Sequence, residues 1–191
     1  MPNTENSQAK DIVSAGLITN PQSTDVVGAG GVYSVECVGA DGKVKWTDTF
    51  PNLVMNEGVQ DMNNKYFAGV SYTGAFYLGL VTGPGSGTTY AASNTLAVHS
   101  GWDEDTNYAG ARKAMTFGTA TLANPSVIDN SGAPASFAIT GTSTIAGAFL
   151  CTVSSGSVGV LFSAGDFTGG DKLVSNGDVL NVTYVFSLTA T

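Results

Sequence analysis

The strongest constraint on this chain is its punctuation. From residue 113 onward, short β-like runs recur at 113–122, 126–128, 135–140, 143–154, 158–163 and 178–188. Most are bounded by Gly, Pro, Asn or Asp: Asn130-Ser131-Gly132, Gly141, Gly156, Gly169-Gly170 and Asn176-Gly177. Turn signals at intervals of about ten residues indicate an antiparallel sandwich or barrel. The last run alternates cleanly, with Leu180, Val182, Tyr184, Phe186 and Leu188 on one face. That is the pattern of a strand with one buried side.

The first third supplies a hairpin and the one convincing helix. In 32–38 (VYSVECV), Tyr33, Val35 and Cys37 share a face, and Asp41-Gly42 follows as a hairpin signal. The returning strand, 43–50, places Val44, Trp46, Asp48 and Phe50 on one side. Pro51 ends it. Asn56 reads as an N-cap and Gly69 as the C-terminal glycine of a helix at about 56–68. Its expected apolar face is Val59, Met62, Tyr66 and Phe67. Residues 75–81 (AFYLGLV) suit a strand buried on both faces, with Gly79 marking a bulge or a close backbone approach. The expected fold is therefore mainly β: an antiparallel, jelly-roll-like β-sandwich with one short helix.

Residues 1–31 are mostly polar, apart from Ile12, Val13, Leu17 and Ile18, and are broken by Pro21, Gly28, Gly30 and Gly31. They read as an extended N-terminal arm ordered against a neighbour, ahead of a single sandwich domain over 32–191. The start, MPNTENSQAKDIV, lacks the basic head and apolar core of an export signal.

Charge narrows the function classes. Only 12% of the 191 residues are charged, about half the usual share. The net charge is −8 and the seven Lys and Arg are scattered. Nucleic-acid binding needs clustered cations, and so does a membrane-surface role; neither is expected. The longest apolar run, 145–153, is broken by Gly147 and Thr152 and is too short to span a bilayer. Cys37 and Cys151 lie in apolar runs and read as buried reduced thiols. A disulfide between them has no secretory context.

No catalytic, cofactor or metal residue is assigned, and no enzyme activity is expected. His99 is the only histidine, and its neighbours Ser100 and Asp103 are too local for a triad, which draws on distant segments. The Gly28–Gly31 stretch lacks the rest of a dinucleotide fingerprint, and 83–87 lacks the Lys-Ser/Thr of a phosphate loop. Both read as flexible backbone. Asp103-Glu104-Asp105 and the pair Asp166/Asp171 are the acidic groupings, and neither matches a calcium loop. Asp103 with Asp166 is the least implausible carboxylate pair for glycoside hydrolysis. The sequon Asn181-Val182-Thr183 falls mid-strand. Trp102, Tyr90 and Tyr108 read as core or interface anchors, with a sugar-stacking platform as the alternative.

The strings KWTDTFPNLV, GVQDMNNKYF, SYTGAFYLGLV and HSGWDEDTNYAGARKAMTFG, with the closing IAGAFLCTVSSGSVGVLFSAGDFTGGDKLVSNGDVLNVTY, resemble virion structural proteins of tailed bacteriophages. The resemblance covers roughly residues 32–188 and excludes the arm. It carries no catalytic motif. It implies a particle component: a capsid cement or decoration protein, or a minor head or tail protein. The implied partners are the major capsid protein and neighbouring copies in a homo-oligomer, without nucleic acid or membrane. The implied location is the capsid surface of the virion, after synthesis in the host bacterial cytoplasm. The alternative is a head or tail fibre module recognising a host glycan through Trp102 and Tyr108, with Asp103, Glu104 and Asp105 taking hydroxyls or calcium.

Overall fold

The computed structural model describes residues 27–71, 74–83 and 89–190. It holds twelve strands: β1 (Val27–Val38), β2 (Val44–Pro51), β3 (Leu53–Val54), β4 (Tyr77–Thr82), β5 (Asp103–Asp105), β6 (Lys113–Ala114), β7 (Ser126–Asp129), β8 (Ala135–Ala138), β9 (Ser143–Cys151), β10 (Leu161–Asp166), β11 (Lys172–Val174) and β12 (Val179–Ala190). One helix, α1 (Asn56–Tyr66), follows β3. One sheet runs β2-β1-β12-β7, with β8 also on β12. The other runs β3-β10-β9-β4-β5, with β11 on β9 and β6 on β4. All pairings are antiparallel. Early strands pair with late ones in nested fashion, β1 with β12, β3 with β10 and β4 with β9. This nesting gives the sandwich its jelly-roll-like character.

The two sheets meet over Tyr33, Val35, Cys37, Phe50, Leu78, Leu80, Ile145, Leu150, Leu180, Val182 and Tyr184, all buried. Within the strands these follow alternation, except Ile145, which a register shift opposite Val81/Thr82 brings to the same side as Leu150. The second sheet is buried on its other side too. There Met55, Val81, Phe149, Cys151 and Leu161 lie under Leu96 and Trp102. Near-continuous burial along β4 and β9 follows. Close contact across β4 and β9 needs glycine at two places. A Cβ on Gly79 would overlap the Phe149 ring, and one on Gly147 would overlap the Gly165 carbonyl. Gly79 thus marks a close approach; the bulge lies between Val81 and Thr82.

The hairpin forms as expected. Gly42 N–H donates to the Gly39 carbonyl at 2.8 Å, and Gly42 takes φ +77°, a value glycine adopts at little cost. A register shift at Cys37/Val38 absorbs the extra residue.

Several expectations are corrected. The Gly28–Gly31 stretch is strand, not free arm or flexible backbone, because β12 is long enough to pair β1 from Val27 onward. The rest of the expected arm, 1–26, lies outside the described residues, as does 84–88 of the second glycine loop. The run 113–122 yields only the two-residue β6, while β5 and β11 arise where no strand was expected.

The helix is where expected, but Met55, not Asn56, is its N-cap, with no side-chain cap bond. Gly69 at φ +66° closes it. Of its expected apolar face only Met62 points inward. A Cβ on Gly58 would lie 2.6 Å from the Phe162 carbonyl, so the helix rests on β10 at its glycine. That contact turns the line of Gly58, Asp61, Met62 and Lys65 inward and leaves Val59, Tyr66 and Phe67 exposed.

Gly147→Ala is expected to destabilise the fold by about 2 kcal/mol or more, because its obstacle is backbone and cannot rotate away. Urea unfolding followed by tryptophan fluorescence measures this. Gly28→Ala, with nothing within 4 Å of the new methyl, serves as the neutral control.

Candidate functional site

The residues around the single histidine form a packed cluster. The His99 ring stacks on Trp102 with centroids 3.9 Å apart and planes at 17°. Its Nδ1 lies 3.0 Å from the Trp102 carbonyl. Trp102 Nε1 donates to Asn94 Oδ1 at 3.3 Å, and Tyr90 and Phe149 flank the indole. The imidazole is therefore spent on the tryptophan's backbone. Neither Ser100 nor Asp103 is its hydrogen-bond partner.

The sugar platform is not available. Trp102 is 4% exposed and Tyr108 5%. Tyr108 packs edge-on against Phe137, and its hydroxyl donates to Glu104 Oε1 at 3.4 Å. Burial, followed by the Glu104 charge, pushes the phenol above its ordinary pKa. Tyr90 is half-buried and donates to the Gly165 carbonyl at 3.3 Å. Trp102 and Tyr90 lie on the outer side of the second sheet and Tyr108 in the core between the sheets; neither Trp102 nor Tyr108 offers a face to a glycan, which removes the premise of the fibre alternative.

The acidic run grows more buried along β5. Asp103 is exposed, Glu104 half-buried and Asp105 buried. Glu104 takes Arg112 in a two-pronged pair, Nε to Oε1 at 2.8 Å and Nη2 to Oε2 at 2.7 Å. Arg112 Nη1 also donates to the Val153 carbonyl at 3.2 Å, and the guanidinium sits 5.1 Å from the Phe149 ring centroid. Burial works against the Arg112 charge, but Glu104 outweighs it and the pKa is raised. Asp105 Oδ1 accepts the Asn107 N–H at 2.8 Å, an Asx turn.

Asp103 and Asp166 lie on β5 and β10, with β4 and β9 between them. At the usual strand spacing their backbones are about 14 Å apart. Asp171 packs against Gly83, and its Oδ2 is buried without a hydrogen bond. Among the described residues no three His, Cys, Asp or Glu side chains are placed to hold a metal ion.

Cys37 and Cys151 are both buried and free. Burial first, then the Asp178 charge, pushes the Cys37 thiol up to about 11. Burial likewise raises Cys151, although it lies 3.6 Å from Arg112 Nη1. Thiols held protonated are poor nucleophiles.

Asp178 is a polar residue whose role the sequence did not reveal. Its Oδ2 accepts Lys45 Nζ at 2.6 Å and the Ser175 N–H at 2.9 Å, tying the hairpin to the start of β12. Burial alone would raise this carboxyl, but Lys45 and Ser175 hold it below the usual range.

A shallow groove of about 590 Å³ crosses the outer face of β2, β1 and β12, lined by Ser34, Glu36, Thr47, Thr49, Asn181 and Thr183. Its lining is mainly hydroxyls, with Glu36 and Asp48 as the acidic residues. The more informative surface is apolar. Tyr66 is 84% exposed and Phe67 79%, their rings meeting edge to face at 4.9 Å, with Val59 and Val70 also exposed. No helix is long and apolar enough to cross a membrane among the described residues.

Comparison with protein-family models, with characterised proteins and with solved structures returns no match.

Two outcomes follow from the electrostatics. A thiol reagent such as DTNB is expected to label neither cysteine in the native protein at neutral pH and both after denaturation; rapid native labelling would contradict the burial. Asp178→Asn is expected to lower the urea midpoint at neutral pH. A depressed folded pKa contributes stability that is full above the unfolded value of about 3.9 and fades as pH falls through the folded one. The difference between wild type and Asp178→Asn should therefore close in acid.

Proposed function

We propose that this chain is a virion structural protein, a capsid cement or decoration protein that binds and stabilises an assembled head. The observation that supports this most directly is the bare aromatic corner of α1. Two adjacent aromatic side chains held out in water beside Val59 and Val70 are costly unless something covers them. A surface with few charges suits burial against other protein, since interface cores are depleted in charge. The polar residues that looked reactive in the sequence hold loops and sheets together. The resemblance to tailed-phage virion proteins supplies the particle, the major capsid protein as partner and the capsid surface as location.

A cement protein acts by differential binding. It gains contacts on the finished shell that separate subunits do not offer, so occupancy shifts the balance toward the shell. Many copies multiply a modest contact. On this reading no bond of a substrate is made or broken, and no cofactor is required.

The test is binding of purified protein to undecorated heads. Tyr66→Ser with Phe67→Ser is expected to abolish co-sedimentation with heads while leaving the urea midpoint within about 0.5 kcal/mol, as for exposed sites. Normal decoration by the double variant would sink the role given to α1. Removing 1–26 spares every strand among the described residues, whereas removing 1–31 cuts five residues from β1. The role of the leading segment is therefore tested with the shorter deletion, which is expected to fold and to lose head binding.

A further inference from the structure

We propose that the groove on the outer face of β2, β1 and β12 is a saccharide site, with Glu36 and Asn181 as its main hydrogen-bonding groups and a neutral glycan as its ligand. The inference goes beyond the assembly reading. Helix α1 rests on β10 in the other sheet, so the groove is separate from the contact given to Tyr66 and Phe67.

The lining follows from two registers. Burial of Tyr33, Val35 and Cys37 between the sheets turns Ser34 and Glu36 outward. Across the strands Ser34 sits between Thr49 and Thr183, and Glu36 between Thr47 and Asn181. Neighbours in a row are about 4.8 Å apart, and the two rows are about 7 Å apart. Thr47 and Thr49 are exposed, and the other four are half-buried. These polar side chains share a groove of about 590 Å³. That lies within the roughly 300–1,000 Å³ usual for small-ligand sites.

Unspent hydrogen-bonding capacity singles this grid out. Elsewhere polar side chains are committed within the fold: Arg112 to Glu104, and Asn130 Oδ1 to the Tyr184 N–H. In the groove, Ser34 Oγ and Thr49 Oγ1 share one bond at 3.2 Å. Among the described residues, the side chains of Glu36, Thr47, Asn181 and Thr183 make no hydrogen bond or ion pair. Lys45, two positions along β2 from Thr47, is taken by Asp178 at 2.6 Å. Asp48, also in the lining, is taken by the Gly169 N–H at 3.0 Å and by Lys172 at 3.7 Å. Glu36 is therefore the free carboxylate of the groove.

A neutral sugar fits this set of groups. An ionised carboxylate accepts from two hydroxyls at once, an amide both donates and accepts, and the threonine hydroxyls serve either way. Pro134 gives the rim an apolar surface for the C–H side of a sugar ring. Among the described residues no cation lines the groove, and the chain carries a net charge of −8, so an anionic sugar is disfavoured. A basic peptide would meet one free carboxylate among neutral groups. Hydrogen bonding, more than charge, is what the groove offers. Its groups stand on three paired strands, so binding costs little ordering of the protein.

The experiment applies the full chain to an array of neutral oligosaccharides built from glucose, galactose, mannose and N-acetylglucosamine, with sialylated oligosaccharides alongside. Calorimetric titration then follows with the oligosaccharides retained and, for comparison, with hexa-arginine. The expected result is saturable binding of a neutral oligosaccharide that survives an increase in salt of about tenfold. Glu36→Gln and Asn181→Ala are each expected to weaken it about tenfold or more with the urea midpoint kept. Asp103→Asn, which alters an exposed acid on β5, is expected to bind as wild type. If Asn181→Ala does not fold, Glu36→Gln, which keeps the side chain's shape, decides. Failure of every neutral oligosaccharide to bind at millimolar concentration overturns the proposal. So does sugar binding that Glu36→Gln leaves untouched, or a preference for hexa-arginine that salt abolishes. Loss of head binding in Glu36→Gln would also overturn it, by making the groove a shell contact. A protein that binds sugar through Glu36 yet ignores phage heads would instead remove the cement reading and leave the groove's role intact.

Discussion

The ladder between β1 and β12 is the constraint on which the rest of the structure depends. It joins the first described strand to the last over twelve residues, and nested pairs close inside it. At its centre Tyr33 faces Tyr184, with ring centroids 4.6 Å apart. Their hydroxyls cross the sandwich. Tyr33 Oη lies 2.8 Å from Ser163 Oγ, which donates to Tyr184 Oη at 3.3 Å, and Asn52 Nδ2 donates to Tyr184 at 2.8 Å. A buried hydroxyl without a partner costs about 1–3 kcal/mol. A one-residue slip of either strand would turn its tyrosine to the solvent face. The polar string thus makes one register of the two sheets much better than its neighbours. Burial raises the pKa of both phenols, so they remain neutral.

The second constraint is that one sheet is covered on both faces. Its inner face meets the first sheet, and its outer face lies under Trp102, Leu96 and Tyr90. Segments without regular structure must be held down over that apolar surface. Polar side chains do the holding: Asn94 to the indole, His99 to the Trp102 carbonyl, Arg112 between Glu104 and Val153. Residue types that elsewhere carry out catalysis are here committed to each other. The same commitment explains why the acidic run on β5 does not converge.

What remains available to a partner lies outside the core. The helix turns its glycine to β10 and its aromatics to water. Such a patch of aromatic side chains can fill a pocket on another protein.

Sequence alone determined the class of the fold, because period-two alternation and glycine-rich stops are local properties. Tyr33, Val35, Cys37, Leu180, Val182 and Tyr184 could be assigned to the core from spacing. The hairpin at Asp41-Gly42, the helix and the doubly buried β4 could be read the same way. The orientation of α1 could not. Its stripe of Val59, Met62, Tyr66 and Phe67 has good helical spacing, but the contact is set by Gly58 against a carbonyl more than a hundred positions away. The same holds for the strand status of Gly28–Gly31, which only the reach of β12 confers, and for Trp102, whose neighbours Phe149 and Tyr90 come from separate segments. Local pattern settles which face of a segment is apolar. Only the packing of distant segments decides which apolar faces are covered, and here that decision left Tyr66 and Phe67 in the open.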